Sequence, residues 1–198
     1  METSELPADL AHAVEFHGHL CPGLTIGYLA TRIGLEKLGV ERAEDEELIA
    51  IVENKSCAVD AVQALAGCTF GKGNLFFRDH GKMVFTFASR ISGKAVRVSV
   101  KHRTNASDES ASEDPAERRD RQTRTMLKQS PEELFMIREE DLDVPRTAEI
   151  RQSVVCSRCG ESVMDTRTRA VDGKVVCIPC ATALGTADEN EPVEHSAS

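Results

Sequence analysis

The chain has 198 residues, 40% of them apolar and 29% charged, with a formal net charge of −9 and no tryptophan. That length fits one domain with a smaller companion, or two small domains. The acidic balance argues against general affinity for nucleic acid or anionic membranes, though it leaves room for a local basic patch.

No apolar run approaches the ~20 residues that cross a bilayer, and the opening Met-Glu-Thr-Ser-Glu is unlike a secretory leader. A cytoplasmic location is therefore expected. In a reducing compartment the seven cysteines serve as metal ligands or reactive thiols rather than in disulfides.

Residues 8–16 predict a short helix. His17, His19 and Cys21 follow on alternate positions, and in an extended segment alternation sends all three side chains to one face. Pro22 then suits the first turn of a helix running to Leu38, with Gly39 as its stop. Gly27 and Gly34 lie seven apart on one face of that helix, where they can admit a second helix. Residues 47–53 read as a strand, apolar on both faces and hence central. Ser56 is an N-cap candidate that places Cys57 in the first turn of a helix to Ala66. Strands at 75–78, 83–88 and 95–101, joined by turns at 79–81 and 92–93, predict an antiparallel meander. Helices first and antiparallel strands later make the core α+β.

Residues 105–114 are polar and read as a linker. Helix-start signals at 114–117 and 130–133 predict one or two helices before residue 150, and Leu134-Phe135-Met136-Ile137 is an apolar patch that must dock somewhere. The expected divisions are a core over 1–104, a helical linker over 105–150, a zinc ribbon over 151–182 and a disordered tail over 183–198.

Cys156-x2-Cys159 and Cys177-x2-Cys180, with seventeen residues between the pairs, carry the strongest chemical signal. Each pair can form a knuckle that turns two thiolates inward, and four sulfurs at ~2.3 Å close a tetrahedron around structural zinc. Asp172-Gly173 between β-branched residues predicts a hairpin turn inside this module. Two redox-active dithiols are the alternative.

A second centre is expected in the core. Cys57, at a helix N-terminus with Lys55 close by, has the surroundings of a low-pKa thiolate. His19, Cys21 and Cys57 are the expected ligands of one transition metal, zinc or iron, with His17 a fourth ligand or an outer partner. Cys57, His17 and Cys21 are also the candidate catalytic groups, and Asp60 is placed to orient a histidine. The alternative is that these are buried structural side chains. In Gly67-Cys68-Thr69-Phe70-Gly71-Lys72-Gly73 the spacing departs from a phosphate-binding loop. Lys72 and Cys68 are the candidate cofactor-binding residues there.

His-Gly-His-Leu-Cys-Pro-Gly-Leu at 17–24, Asn-Lys-Ser-Cys-Ala-Val-Asp-Ala at 54–61 and Gly-Cys-Thr-Phe-Gly-Lys-Gly-Asn-Leu at 67–75 together resemble the FmdE family of formylmethanofuran dehydrogenase proteins. The four-cysteine segment resembles family members with an appended zinc finger. The resemblance implies association with a molybdenum or tungsten formylmethanofuran dehydrogenase, which reduces carbon dioxide onto methanofuran. It also contributes, with the glycine-spaced helix, to the expectation of a homodimer.

Three functional readings follow. The chain is a metal- or thiol-handling accessory of one-carbon metabolism, or a metalloenzyme with an open coordination position, or a ribbon-mediated binding module. Arg151, Arg158, Arg167 and Arg169 favour the last, and the acidic whole disfavours nucleic acid as its partner.

Overall fold

A computed structural model describes residues 6–102, 114–142, 145, 147 and 151–186. The expected linker at 105–114, apart from Asp114, and the expected tail beyond Thr186 lie outside the described residues. The chain divides into two compact units, residues 1–148 and 149–198. Among the described residues no helix is long and apolar enough to cross a membrane.

In the first unit α1 (Ala8–His17) and α2 (Pro22–Leu38) precede β1 (Leu48–Val52), α3 (Ala58–Ala66), β2 (Leu75–Phe77), β3 (Val84–Ser89) and β4 (Lys94–Val100). Then come α4 (Pro115–Lys128), the single turn α5 (Pro131–Leu134) and β5 (Phe135–Asp141). The five strands form one sheet in the order β2-β1-β3-β4-β5. Only β1 and β2 run parallel. The fold is α+β with a largely antiparallel sheet.

The sheet departs from the expected meander at one point. β1 lies between β2 and β3, so β2 does not pair with β3 as a hairpin would. All five residues of β1 are buried, and a strand apolar on both faces belongs inside a sheet. The less buried β2 takes the edge. Residues 78–82 carry the chain past the end of β1, where Arg78 donates its N–H to the Val52 carbonyl (2.9 Å) and Lys82 to that of Glu53 (3.0 Å).

The apolar patch at 134–137 docks as a strand. β5 pairs with β4 from Phe135↔Val100 to Asp141↔Lys94, so the sheet continues beyond the core expected over 1–104. The turn before β5 is set by Glu133, whose carboxylate accepts the Ser130 N–H at 2.7 Å, as a helix-start signal should.

One face of the sheet, with Phe85, Phe87, Val96 and Val98, packs with Ala30 and Ile33 of α2 and with Ala58 and Val62 of α3 in the main core. The other face carries a smaller cluster of Ile49, Ile51, Ala88 and Ala95. Both glycines singled out on α2 are used inside the unit. A Cβ at Gly27 would lie 2.1 Å from the Ala58 carbonyl oxygen of α3, and one at Gly34 would lie 2.2 Å from the Phe87 ring. The glycine face therefore packs on this chain's own α3 and β3.

Glu53, immediately after β1, is only 3% exposed. Its carboxylate meets Arg97 of β4 and, at 2.9 Å, Nδ1 of His80. Burial opposes its ionisation, but the hydrogen bonds and charges of Arg97 and His80 prevail and hold its carboxyl below the usual range. The sequence offered no sign of this trio beyond an acid ending an apolar run.

Two outcomes are expected for this unit. Gly27→Ala forces a methyl group against backbone that cannot yield, and should destabilise the fold by about 2–3 kcal/mol in denaturant melts. Glu53→Gln should cost about 3 kcal/mol at neutral pH by removing the buried charge that Arg97 and His80 are paired with. Because the folded-state pKa of Glu53 is depressed, its contribution is complete above the ordinary ~4.3 and is lost as pH falls through the folded value. Melts repeated at decreasing pH should therefore bring variant and parent together in acid. A gap that widened in acid would contradict this.

Candidate metal centres

In the second unit β6 (Ser153–Val155) and β7 (Ser162–Met164) form one hairpin, and β8 (Thr168–Val171) and β9 (Lys174–Cys177) another. α6 (Ile178–Thr182) follows. Cys156 and Cys159 occupy a knuckle after β6, closed by the Gly160 N–H donating to the Cys156 carbonyl (2.9 Å) with Gly160 at φ 75°. The hairpin turn expected at 172–173 is present, with φ 50° and 74°, the pair of positive values that a type I′ turn requires.

The second cysteine pair departs from a symmetrical ribbon. Cys177 ends β9 and caps α6, and Cys180 lies in the first turn of that helix with Pro179 beside it. Proline suits a helix start, so this pair forms a strand-to-helix junction in place of a second knuckle.

The four sulfurs lie within 4.8 Å of one another, and those of Cys159 and Cys177 are 3.9 Å apart. Four Zn–S bonds of ~2.3 Å require edges of about 3.8 Å. The charges fit as well. The backbone N–H groups of Cys159 and Cys177 pull Cys156 down to about 6, whereas Cys180, beside Cys177 and the other two sulfurs, is pushed up to about 12. One thiolate forms readily, and a full set needs a cation at its centre. The donor set is that of a structural zinc site.

The core centre is built from three helix ends. His17 is the last residue of α1 and is followed by Gly18 at φ 98°. Cys21 is the N-cap of α2, and its sulfur accepts the Leu24 N–H at 3.4 Å. Cys57 is the N-cap of α3. Before it, Ser56 Oγ accepts the Ala58 N–H (3.3 Å) and donates to Asn54 Oδ1 (2.6 Å). The Asn54 amide donates to the Lys82 carbonyl at 2.9 Å, fixing the loop. A Cβ at Gly23 would lie 3.1 Å from Cys57 Cβ, so that glycine lets the first turn of α2 close on the cysteine.

Nε2 of His17 is 3.9 Å from the Cys21 sulfur, and one donor atom from each of His17, Cys21 and Cys57 falls within 4.8 Å of the others. The Asp60 carboxylate accepts from Nδ1 of His17 at 2.6 Å, which leaves Nε2 as the free ring acceptor. Two helix N-termini face the sulfurs and favour negative charge there, while the C-terminal end of α1 favours a cation.

Two expectations change. His19 is not in this group. It is exposed, with its ring centroid 4.6 Å from that of His17. Alternation applies to an extended segment, but α1 continues through His17, and the chain then turns through Gly18 to the α2 cap. His17 and Cys21 therefore meet at a spacing of four.

Nor is Cys57 a low-pKa thiol. Burial and the neighbouring Cys21 raise it. Lys55, the expected source of positive charge, instead lies 3.7 Å from Asp79 and over the Phe77 ring. Two thiols sharing a site resist ionisation unless a cation joins them.

The structure gives Lys72 and Cys68 internal roles. Lys72 Nζ donates to the Ala43 and Glu44 carbonyls at 3.2 and 3.3 Å. Cys68 is fully buried, donates to the Leu48 carbonyl at 3.5 Å and is pushed by burial to about 12. Neither joins either sulfur cluster.

An α+β core with a histidine–dicysteine group at three helix ends, and a separate four-cysteine finger, define a two-part metal-binding protein. Comparison with known families gives the same division. The model described as FmdE, molybdenum formylmethanofuran dehydrogenase operon, matches residues 16–136. The prokaryotic dksA/traR C4-type zinc finger matches residues 149–184. The chain belongs to the FmdE family and carries a C-terminal C4 zinc finger.

A curated relative from Archaeoglobus fulgidus, named a probable S-adenosyl-L-methionine-binding protein, is 34% identical over 200 residues. The match covers 90% of this chain and 54% of the relative, so the chain spans about half its length. Among solved structures, a tungsten formylmethanofuran dehydrogenase FmdE-like protein from Syntrophus aciditrophicus shares the fold. It has a TM-score of 0.63 at 23% identity, over 86% of this chain and 88% of that one.

The finger's sulfurs should be closed to solvent reagents. Thiol titration of zinc-replete native protein should find Cys156, Cys159, Cys177 and Cys180 unreactive. Cys159→Ser should release the finger's zinc and unfold the second unit, because so small a unit depends on its metal, while the first keeps its melting transition. Four freely titrating cysteines in zinc-replete protein would contradict the assignment.

Proposed function

We propose that His17, Cys21 and Cys57 hold one transition-metal ion, zinc in the first instance and iron as the alternative. On this reading the protein is a metal- or thiol-handling accessory of formylmethanofuran dehydrogenase in one-carbon metabolism. One observation carries the metal: an imidazole nitrogen and two sulfurs converge while a carboxylate holds the other imidazole nitrogen. Mixed nitrogen and sulfur donors suit zinc and iron over magnesium or calcium. The link to the dehydrogenase rests on family membership.

Three protein ligands match sites that keep a coordination position open, and a bound ion would supply Lewis acidity there. The chain's own residues do the rest. Asp60 holds the His17 ring in one tautomer and orientation. The helix N-termini steady the sulfur charge. His19, exposed with its ring against that of His17, borders the approach to it.

This arrangement also supports a second reading, a metalloenzyme acting on a small ligand. The name of the A. fulgidus relative makes S-adenosyl-L-methionine the first ligand to test. A ribbon-mediated nucleic-acid module has less support, since Arg158, Arg167 and Arg169 each donate to a backbone carbonyl of their own unit.

Seven unbridged cysteines support a reducing, cytoplasmic compartment. A homodimer now rests on the family resemblance, because α3 and β3 fill the glycine face of α2. The zinc finger is read as a domain that folds on its own metal.

Metal analysis of the full chain tests the centre. Two ions per chain are expected. His17→Ala and Cys57→Ala should each leave one, with the finger's zinc retained and the first unit still folded. His19→Ala should keep both. A core ion retained in Cys57→Ala would return these residues to a packing role.

A further inference from the structure

The sheet face opposite the main core carries chemistry that neither metal centre uses. Alternation along β3, β4 and β5 turns Phe85, Phe87, Val96, Val98, Phe135 and Ile137 into the main core. Their neighbours occupy the opposite face, with Val84, Ser99 and Met136 in one cross-strand row and Thr86, Arg97 and Arg138 in the next. Arg97 and Arg138 are thus direct partners in antiparallel register, and like charges so placed oppose folding.

Lys82 brings a third cation to the same place. With Arg97 and Arg138 it lines a cavity of about 400 Å³ whose apolar wall on this face is Val84 and Met136. Three cations gathered at one cavity do not follow from the composition of a chain with net charge −9.

The acids around the cavity are unevenly shared. Glu53 pairs with Arg97 and with His80, and Glu140 lies 3.9 Å from Arg97. Among the described residues Lys82 and Arg138 have no carboxylate partner. The buried Glu53 also fixes Arg97, so less side-chain freedom remains to be lost when a ligand binds.

We propose that this cavity binds a small organic anion, a carboxylate or phosphate monoester with an apolar body. Its head group lies between the guanidinium groups of Arg97 and Arg138, with Lys82 alongside. An oxyanion between two arginines turns a repulsive cross-strand pair into a bridged one, and the planar guanidinium suits bidentate contact with either head group. The apolar wall accounts for the organic body.

The proposal does not depend on the core metal, and its test is designed to be blind to it. Benzoate, phenyl phosphate and inorganic phosphate are titrated into the full chain by calorimetry at low salt, with and without prior chelation of the core ion. Benzoate or phenyl phosphate should bind saturably, more tightly than inorganic phosphate and equally in both forms of the protein. The better of the two identifies the preferred head group.

Arg138→Gln and Lys82→Gln should each weaken that binding about tenfold, the effect of losing one charge-assisted hydrogen bond. Without ligand, Arg138→Gln should melt at the parent temperature or higher, since a like-charge pair has been removed. Three results would each overturn the proposal: no saturable binding up to about 10 mM, the weak end of fragment affinity; undiminished binding in Arg138→Gln; or inorganic phosphate binding as tightly as the better of the two organic anions.

Discussion

The close approach of α2 to α3 at Gly27 is the contact on which the core centre depends. Backbone meets backbone there, with no room for a single methyl group. The consequence is geometric. Helices that approach so closely near their N-terminal ends bring their N-caps together, and in this chain both N-caps are cysteines. α1 then needs only to end at His17 and turn back through Gly18 for an imidazole to reach the same point. Asp60, one turn into α3, fixes that imidazole. Each helix contributes one donor, and packing rather than local sequence brings the three together.

Electrostatics explain why such a group suits a cation. Burial and the neighbouring Cys21 raise the Cys57 thiol, so its thiolate is favoured only with a cation beside it. The helix N-termini offset part of the negative charge, and a metal ion would offset the rest. The finger solves the same problem with a different scaffold. Its backbone amides stabilise one thiolate at Cys156, and the crowding of sulfurs leaves Cys180 the hardest to ionise. The Lys82–Arg97–Arg138 cavity presents the opposite imbalance, an excess of positive charge on the far face of the same sheet.

Much of this was legible in the sequence because the signals were local. The two C-x2-C pairs, the Asp172-Gly173 turn, the Pro22 helix start and the doubly apolar run of β1 each act within a few residues. What was not legible depended on the fold as a whole. The choice between His17 and His19 turned on whether α1 stopped before or after residue 17, a matter of one residue at a helix end.

The position of β2 depended on strand order, which periodicity does not encode. β5 was hidden because Phe135 and Ile137 follow strong helix-start signals, and only the open edge of β4 makes a strand of them. The direction of the Cys57 shift depended on burial and on Cys21, distant in sequence, while Lys55 is drawn away to Asp79. The Glu53–His80–Arg97 trio likewise joins residues from three separate segments.

The central claim is that three helix ends form one metal centre. Anomalous diffraction at the zinc edge, from crystals of zinc-loaded full-length protein, tests it most directly. Two peaks per chain are expected, one enclosed by Cys156, Cys159, Cys177 and Cys180 and one bonded to His17 Nε2 and the sulfurs of Cys21 and Cys57. A single peak at the four cysteines in zinc-saturated crystals, or a core peak bonded to His19 instead of His17, would contradict the account.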